Sequence, residues 1–558
     1  MSFRRACICI FINYTGVSCI VFLMGCDNMI DINLSKVNKT YGFNKVLNNI
    51  DLTIKKGEKI ALIGSNGCGK TTILKLIAGK ENLSSGDISI RNNIKIGYLS
   101  QVPEVIDIKV SDYIYNAFDE ILKLKEELEK YEKDLSNNKI INKYIKLQEK
   151  FINIGGYEYE TKLSKVLSVF NISDEMLERN FNTLSGGEKT ICSLIKILLI
   201  NPDLLRFDEP TNHLDINKIR WLQNYLTSIN KTIIIVSHDR YFLDKVVNKI
   251  VLITKKGLDI YFGNYSYFIK ENENRIMLEF KKYKDQQKQI EAMKKAIKKL
   301  KEFGKLCSPS GGEIFFRRAA SIEKRLEKME KLEKVETKKK ILLDFNNDDR
   351  SGKDVLTINN LNLAYKEKIL LENISFNIYY KDKICIIGSN GTGKSSLIKE
   401  IIKGNKSIKL GSNVKIGYIP QEIVFEDNSL RVIEEARKYF IGTDELLRSA
   451  LFKFLFVGEN IYKKIKDLSG GEKVRLKLFC LIQDKYNFLI LDEPTNHIDI
   501  DTREILEEAL ISFNGTILMI SHDRYFINKV CNQIIEIKDK KINKCLGNYD
   551  EYLKHLIK

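Results

Sequence analysis

The strongest constraint on this chain is an internal repeat built on two phosphate-binding loops. Gly64-Ser65-Asn66-Gly67-Cys68-Gly69-Lys70-Thr71 is echoed by Gly388-Ser389-Asn390-Gly391-Thr392-Gly393-Lys394-Ser395, with an offset of 324 residues between the lysines. Leu184–Glu188 (Leu-Ser-Gly-Gly-Glu) recurs as Leu468–Glu472, Asp208–His213 as Asp492–His497, Ser237–Phe242 as Ser521–Phe526 and Gly263–Tyr265 as Gly547–Tyr549, each at an offset of 284. A repeat on this scale means two copies of a large unit. That agrees with 558 residues at about 150 residues per domain.

Each glycine loop follows an apolar, strand-like run, Lys59–Ile63 or Lys383–Ile387, and precedes a helix-like run. This is the strand, loop and helix setting that a P-loop requires, and it predicts an α/β fold. The glycines let backbone N–H groups turn inward around phosphates at a helix N-terminus, and Lys70 or Lys394 adds a point charge. Thr71 or Ser395 offers a hydroxyl to Mg²⁺, with Thr72 and Ser396 completing the loops. Further on, Leu204–Phe207 runs into Asp208 and Glu209, and Phe488–Leu491 runs into Asp492 and Glu493. Acidic pairs at strand C-termini sit where α/β sheets bind ligands. The aspartate suits Mg²⁺ and the glutamate is placed to orient an attacking water. The turns Ser185-Gly186-Gly187 and Ser469-Gly470-Gly471, each leading into a helix, expose backbone donors suited to a γ-phosphate.

The two offsets locate an insertion. Their difference gives the first copy 40 extra residues between lysine and Leu-Ser-Gly-Gly-Glu; Gln101 and Gln421, offset by 320, put 4 of these before Gln101 and 36 after it. Asp119–Phe151 is rich in Lys, Glu and Leu and lacks Pro and Gly, which predicts a helical arm within about residues 105–160. Between the copies, residues 269–340 hold 22 Lys/Arg against 12 Asp/Glu, so more than half of the chain's net +18 lies there. Apolar side chains at Ile276, Phe280, Tyr283, Ile290, Met293, Ile297 and Leu300, and again at Ile322, Leu326, Met329 and Leu332, recur every three or four residues. Two antiparallel helices follow, broken over Gly304–Gly312 by Pro309, Ser310 and Gly311. The first, from Asn272 to Phe303, has a length of about 48 Å at 1.5 Å per residue. The expected organisation is an N-terminal extension over 1–28, a nucleotide-binding unit over 30–268, a basic helical hairpin over 269–353 and a second nucleotide-binding unit over 354–558.

Residues Ala6–Cys26 form an apolar run behind Arg4 and Arg5 that reads as a signal or anchor, with a lipobox-like Leu23-Met24-Gly25-Cys26. Export would separate an ATP-using protein from ATP, so the favoured reading is a mis-assigned start, with translation beginning at Met29. Peptides from residues 1–28 in a mass spectrum would contradict it. Past residue 28 no apolar run is long enough to span a bilayer, and the eleven cysteines, outside the first 26 residues, show no zinc-ligand spacing.

The Leu-Ser-Gly-Gly-Glu signatures, Gln101 and Gln421, the Asp-Glu strand ends and His238 and His522 together resemble the ATP-binding cassette superfamily across both halves. That resemblance implies a head-to-tail sandwich within one monomer. Site one would pair Lys70, Asp208, Glu209 and His238 with Ser469 and Gly471; site two would pair Lys394, Asp492, Glu493 and His522 with Ser185 and Gly187. It implies ATP hydrolysis with Glu209, Glu493, His238 and His522 as catalytic groups, and Mg²⁺ held by Thr71, Gln101 and Asp208 or by Ser395, Gln421 and Asp492. Tyr41 and Tyr365 match the aromatic that stacks on adenine, although a core or edge tyrosine explains each almost as well. Arg206 departs from the pattern, since a buried parallel strand usually carries an aliphatic residue there; it must find a partner or reach solvent, and slower turnover at site one is an expectation.

Tandem cassettes, a long basic hairpin between them and Pro-Thr-Asn-His after each glutamate look like the ABC-F branch. Its members bind the ribosome and send the linker toward rRNA and tRNA at the peptidyl transferase centre, in the cytoplasm. The hairpin tip, with Lys305, Phe315, Phe316, Arg317 and Arg318, offers phosphate contacts and stacking surfaces, against the plain alternative of a solvated basic face. The modest arm and extended tip lean toward the antibiotic-resistance or ribosome-protection branch over housekeeping translation factors, with translation regulation as the other role. An ATPase subunit of a transporter with separate membrane subunits is the alternative. DNA-maintenance ATPases fit less well, because their coiled coils split one cassette.

Overall fold

The computed structural model describes residues 29–65, 67–100, 106–132, 138–212, 214–254, 257–306, 312–330, 332, 351–365, 368–484, 486–495, 498 and 500–557. The 1–28 extension, Asn66, Gln101 and the Pro309 turn lie outside these residues.

Each cassette has two sheets. In the first, an antiparallel sheet centres on Ile30–Tyr41, flanked by Asn44–Lys55 and Ser85–Ile90. Beside it, a six-stranded sheet runs Ile96–Leu99, Leu204–Asp208, Thr232–Val236, Lys59–Ile63, Lys249–Thr254 and Gly257–Phe262, parallel except for the last strand. Leu204–Asp208 and Thr232–Val236 are buried at every position. Both faces of this sheet are covered, which is why these strands read as continuous apolar runs and not as alternating ones. One face packs Ile60, Leu62 and Val251 against the antiparallel sheet; the other packs Ala61, Phe207 and Ile235 against helices.

The second cassette repeats the arrangement with Ile416–Ile419, Phe488–Asp492, Thr516–Ile520, Lys383–Gly388, Gln533–Lys538 and Lys541–Leu546. In both copies the P-loop strand and the Asp-Glu strand each border the same central strand, so their C-terminal ends open on one edge.

The arm of the first cassette is a helical pair, Asp119–Glu132 and Asn138–Asn153, joined on its surface by Lys150 and Glu120 at 3.5 Å. The long linker helix runs from Tyr265 to Leu306, 42 residues, or about 63 Å. It is longer than its apolar spacing predicted and runs continuously through the expected division at residue 268. Tyr265 and Phe268 belong to the core of the first cassette, with the Phe268 ring 5.0 Å from that of Tyr261, so the helix grows out of that core. The return helix, Gly312–Glu327, packs back through Ile290, Ile297 and Ala319, with Lys301 bonded to Glu323 at 2.7 Å. The helices approach closely at the tip. A Cβ on Gly312 would lie 2.4 Å from the Gly304 carbonyl oxygen, and one on Gly304 would lie 2.9 Å from the Phe316 ring.

Candidate functional site

The two P-loops adopt the same conformation for the same reason. Gly69 and Gly393 precede the helices Lys70–Ile77 and Lys394–Lys403 at φ 101° and 96°, where an L side chain is strained, and a Cβ on Gly69 would lie 2.6 Å from Leu47. Lys70 donates to the Gly64 and Ser65 carbonyls at 2.6 and 3.0 Å, and Lys394 to those of Gly388 and Ser389 at 2.8 and 2.9 Å. Each ammonium is thus held over the mouth of its own loop. Burial lowers the Lys394 pKa from its ordinary value.

Asp208 and Asp492 end buried strands beside the P-loop hydroxyls: Ser395 Oγ donates to Asp492 at 3.1 Å, and Thr71 hydrogen-bonds Asp208. Burial raises both carboxyls, and these hydroxyl bonds partly offset it. Asp208 Oδ2 is buried without a hydrogen-bond partner. A carboxylate and a hydroxyl, with room for phosphate oxygens and water, is a donor set that suits Mg²⁺.

The next residue in each copy, Glu209 or Glu493, has φ of 54° or 49°. Left-handed backbone at a glutamate costs on the order of 1–3 kcal/mol, and its occurrence at both equivalent positions indicates a functional constraint. The twist is held by backbone bonds from Glu209 N to Val236 O at 2.8 Å and from Glu493 N to Ile520 O at 3.0 Å. It brings the carboxyls to His238 Nε2 at 3.4 Å and His522 Nε2 at 3.5 Å. His238 N also donates to Glu209 Oε2 at 3.2 Å. Burial pushes the Glu209 carboxyl up to about 8 and the His522 imidazole down to about 4.

The signature motifs explain their own spacing. Ser185 Oγ accepts from Glu188 N at 3.3 Å while Glu188 Oε2 accepts from Ser185 N at 2.8 Å, and Ser469 with Glu472 repeats both bonds. This capping box satisfies two donors and keeps the first turn of each helix rigid. Nothing lies within 4 Å of a Cβ built on Gly186 or Gly470, so both turns are open to an approaching group.

A cavity of about 880 Å³ joins the cassettes at site two. Ser185, Gly187 and Glu188 of the first cassette face Asn390, Gly391, Gly393, Lys394, Ser395 and Ser396 of the second, with Gln421, Glu493 and His522 also on its walls. Site one is different. Its cavity of about 420 Å³ is lined by Gly67, Gly69, Lys70, Thr71, Thr72, Asp208, Glu209 and His238, and by Ile498 and Arg503 from the second cassette, but not by Ser469 or Gly471. Ser469 and Gly471 line neither cavity, whereas Ser185 and Gly187 share theirs with Lys394, Glu493 and His522, and that larger cavity also reaches Glu209 and His238 of site one.

Cys68 is half-buried behind the first P-loop, with its thiol pKa raised by burial, and Thr392 Oγ1 donates to the Ser389 carbonyl at 2.9 Å in the second. Tyr41 ends its strand exposed, its hydroxyl bonded to Glu81 and Thr72 and Lys39 4.9 Å from its ring, so it stands beside the first P-loop helix. Tyr365 ends the corresponding strand of the second cassette, paired with Lys368.

Arg206 is buried, 3% exposed. It donates to the Leu74 carbonyl of the P-loop helix at 3.2 Å and lies 5.1 Å over the Tyr98 ring, while its Nε has no partner; burial pulls its pKa down to about 10. The cation found partners without a carboxylate. Replacing such a group by an apolar one is often neutral or stabilising. Arg206→Leu is expected to leave the melting temperature unchanged or higher and to raise turnover at site one, measured with site two disabled; unchanged turnover there would remove Arg206 as a brake.

Sequence reasoning missed the residues that join the cassettes. Arg240 meets Glu507 at 3.1 Å, Arg524 bonds Gln223 at 3.0 Å and lies 3.6 Å from Asp239, and Arg503 donates to the His238 carbonyl at 2.6 Å. Each pair crosses between copies. Their signal was present at the 284-residue offset, where Glu507 matches Gln223 and Arg503 matches Ile219. At the linker tip Lys305, Phe316, Arg317 and Arg318 are exposed, and the Phe315 ring is 6.2 Å from that of Phe303.

A family model described as ABC transporter matches residues 47–212 and 371–496, and another with that description, an extension, matches 251–344. The chain is 37% identical over 551 residues to the putative ATP-binding protein YdiF of Bacillus subtilis (strain 168), covering 94% of this chain and 82% of that protein. It is 34% identical over 545 residues to ABC transporter F family member 5 of Arabidopsis thaliana, covering 94% and 77%. Among solved structures, the fold resembles the chain described as archaeal ribosome recycling factor aABCE1, in complex with archaeal ribosomal stalk protein aP1. The TM-score is 0.62 and the identity 19%, over 94% of this chain and 92% of that one. Among the described residues no helix is long and apolar enough to cross a membrane.

Proposed function

The chain belongs to the F family of ATP-binding cassette proteins, and on that premise we propose that it is a cytoplasmic ATPase that acts on the ribosome through its basic inter-cassette hairpin. The observation that carries the ATPase reading is the facing of Ser185 and Gly187 from one cassette with Lys394 and Glu493 from the other across a single cavity. A volume of about 880 Å³ suits a nucleotide.

Mg²⁺ would be held by Thr71 and Asp208 at site one and by Ser395, Gln421 and Asp492 at site two, and would supply charge neutralisation to the phosphates there. The lysine ammonium and the P-loop N–H groups hold the phosphates, and the signature turn of the opposite cassette closes on the γ-phosphate. Glu209 and Glu493 accept a proton from the attacking water, and His238 and His522 orient those carboxylates.

The hairpin supports the second half of the reading. It carries more than half of the net charge and extends beyond the cassettes, with exposed Lys305, Phe316, Arg317 and Arg318 at its tip. Cations beside an aromatic surface suit the phosphates and unstacked bases of folded RNA. The solved structures that share this fold include one described as ribosome-bound archaeal Pelota and ABCE1. The same geometry supports translation regulation, or resistance in which the tip shifts tRNA or rRNA near a drug.

Deletion of Gly304–Arg318 from the full chain tests the linker. Cosedimentation with ribosomes in the presence of ATP, and drug tolerance of cells carrying the gene, are expected to fall at least severalfold while ATP binding persists. If both were untouched, the linker mechanism would be wrong.

A further inference from the structure

The two ATP sites are joined unequally, and the inequality centres on Arg503. This residue lies on the helix Ile500–Ser512 of the second cassette, is 5% exposed, and borders the cavities of both sites. Within its own cassette it donates from Nη1 to Asp523 Oδ2 at 2.6 Å and from Nη2 to the Thr495 carbonyl at 3.1 Å. Across the interface the same Nη1 donates to the carbonyl of His238 at 2.6 Å. His238 N in turn donates to Glu209 Oε2 at 3.2 Å. One chain of contacts thus runs from Asp523 of the second cassette to the Glu209 carboxylate of the first.

The corresponding position in the first cassette is Ile219, 2% exposed on the wall of site two, which has no donor to offer His522. Pseudo-symmetry predicts two straps, and the side chains supply one. Asp523 and the Thr495 carbonyl belong to the second cassette, so Arg503 is aimed before the cassettes meet, and closing adds only the bond to His238. A planar guanidinium held at several N–H groups loses little rotamer freedom on making one more bond.

We propose that Arg503 is a positioning residue for site one: it ties the His238 loop to the second cassette and makes hydrolysis at Glu209 conditional on closure, through a bond that Ile219 cannot supply at site two. The proposal rests on the ATPase reading above. Its consequence is a fixed asymmetry, in which site one reports whether the sandwich is shut.

The test uses the full chain in two backgrounds, Glu493→Gln to isolate site one and Glu209→Gln to isolate site two. Arg503→Ile, which copies Ile219, is expected to lower the ratio of site-one to site-two kcat about tenfold. KM at site one should move less than threefold, because the lost contact orients the base and does not touch ATP. Arg503→Lys keeps a charge against Asp523 but cannot span both acceptors with one planar group; it should fold and show an intermediate loss at site one. An equal fall in both backgrounds, a change confined to KM, or no loss with either variant would overturn the proposal. Absence of hydrolysis in both parent backgrounds would instead overturn the ATPase reading, and this proposal with it.

Discussion

Replacing Glu209 and Glu493 together by glutamine is expected to lower ATP turnover at least a hundredfold while nucleotide stays bound. General-base assistance contributes roughly 10²–10⁴-fold, and glutamine keeps the shape of the side chain while losing its ability to accept the proton. The shape matters here, because both residues sit in left-handed backbone held by the neighbouring strand. The expected consequence is a sandwich closed on ATP. If closure fixes the linker in its ribosome-competent form, the double variant cosediments with ribosomes in greater amount than the wild type. Turnover reduced less than tenfold would assign the chemistry elsewhere; turnover abolished with no gain in ribosome association would separate hydrolysis from release.

The second large effect is expected at Glu507. This side chain is fully buried, bonded to Arg240 of the other cassette at 3.1 Å and to Lys529 at 2.8 Å. Burial disfavours the charge on Arg240, and Glu507, Tyr265, Asp523 and Glu504 together outweigh that and hold its pKa above the ordinary value. Removing one partner of a buried pair costs about 3–5 kcal/mol, because the other charge is left without compensation. Glu507→Ala is therefore expected to open the sandwich, seen as loss of ATP-dependent approach between labels on the two cassettes, with turnover at both sites falling as closure is lost. Arg240→Met in the same chain should restore part of it. The pseudo-symmetric contact is the internal control: at the position equivalent to Glu507 Arg524 meets the neutral Gln223 at 3.0 Å and keeps Asp239 at 3.6 Å as its charged partner, so Gln223→Ala should cost about 1 kcal/mol. Equal effects at the two positions would show that the charge on Glu507 is irrelevant to closure.

Much of this architecture was legible in the chain because its motifs carry their own local physics. A glycine loop before Lys70 or Lys394, a Ser-Gly-Gly turn leading into a helix and an Asp-Glu pair ending an apolar strand each need only a few neighbouring residues, and each formed as expected; the capping boxes at Ser185 and Ser469 came with the structure. The linker helix was less exact. Its apolar period begins to show at Ile276, whereas the helix starts at Tyr265, where Tyr265 and Phe268 face the cassette core and obey its packing instead of the hairpin's. Arg206 was visible as an anomaly but not as a solved one, since its acceptor, Leu74, lies 132 residues away.

The sequence by itself determined that there are two cassettes, which residues are the candidates for phosphate and metal, and where the excess positive charge lies. Local backbone geometry and composition are sufficient for all three. Only the tertiary structure decided that the two sites are not equivalent. The cavity with the signature turn forms at Lys394, while Arg503 and Glu507 face partners in the other cassette that Ile219 and Gln223 do not match. The physical reason is that a contact between copies depends on two distant residues meeting across an interface. An offset in the chain aligns equivalent positions but does not say which of them face each other.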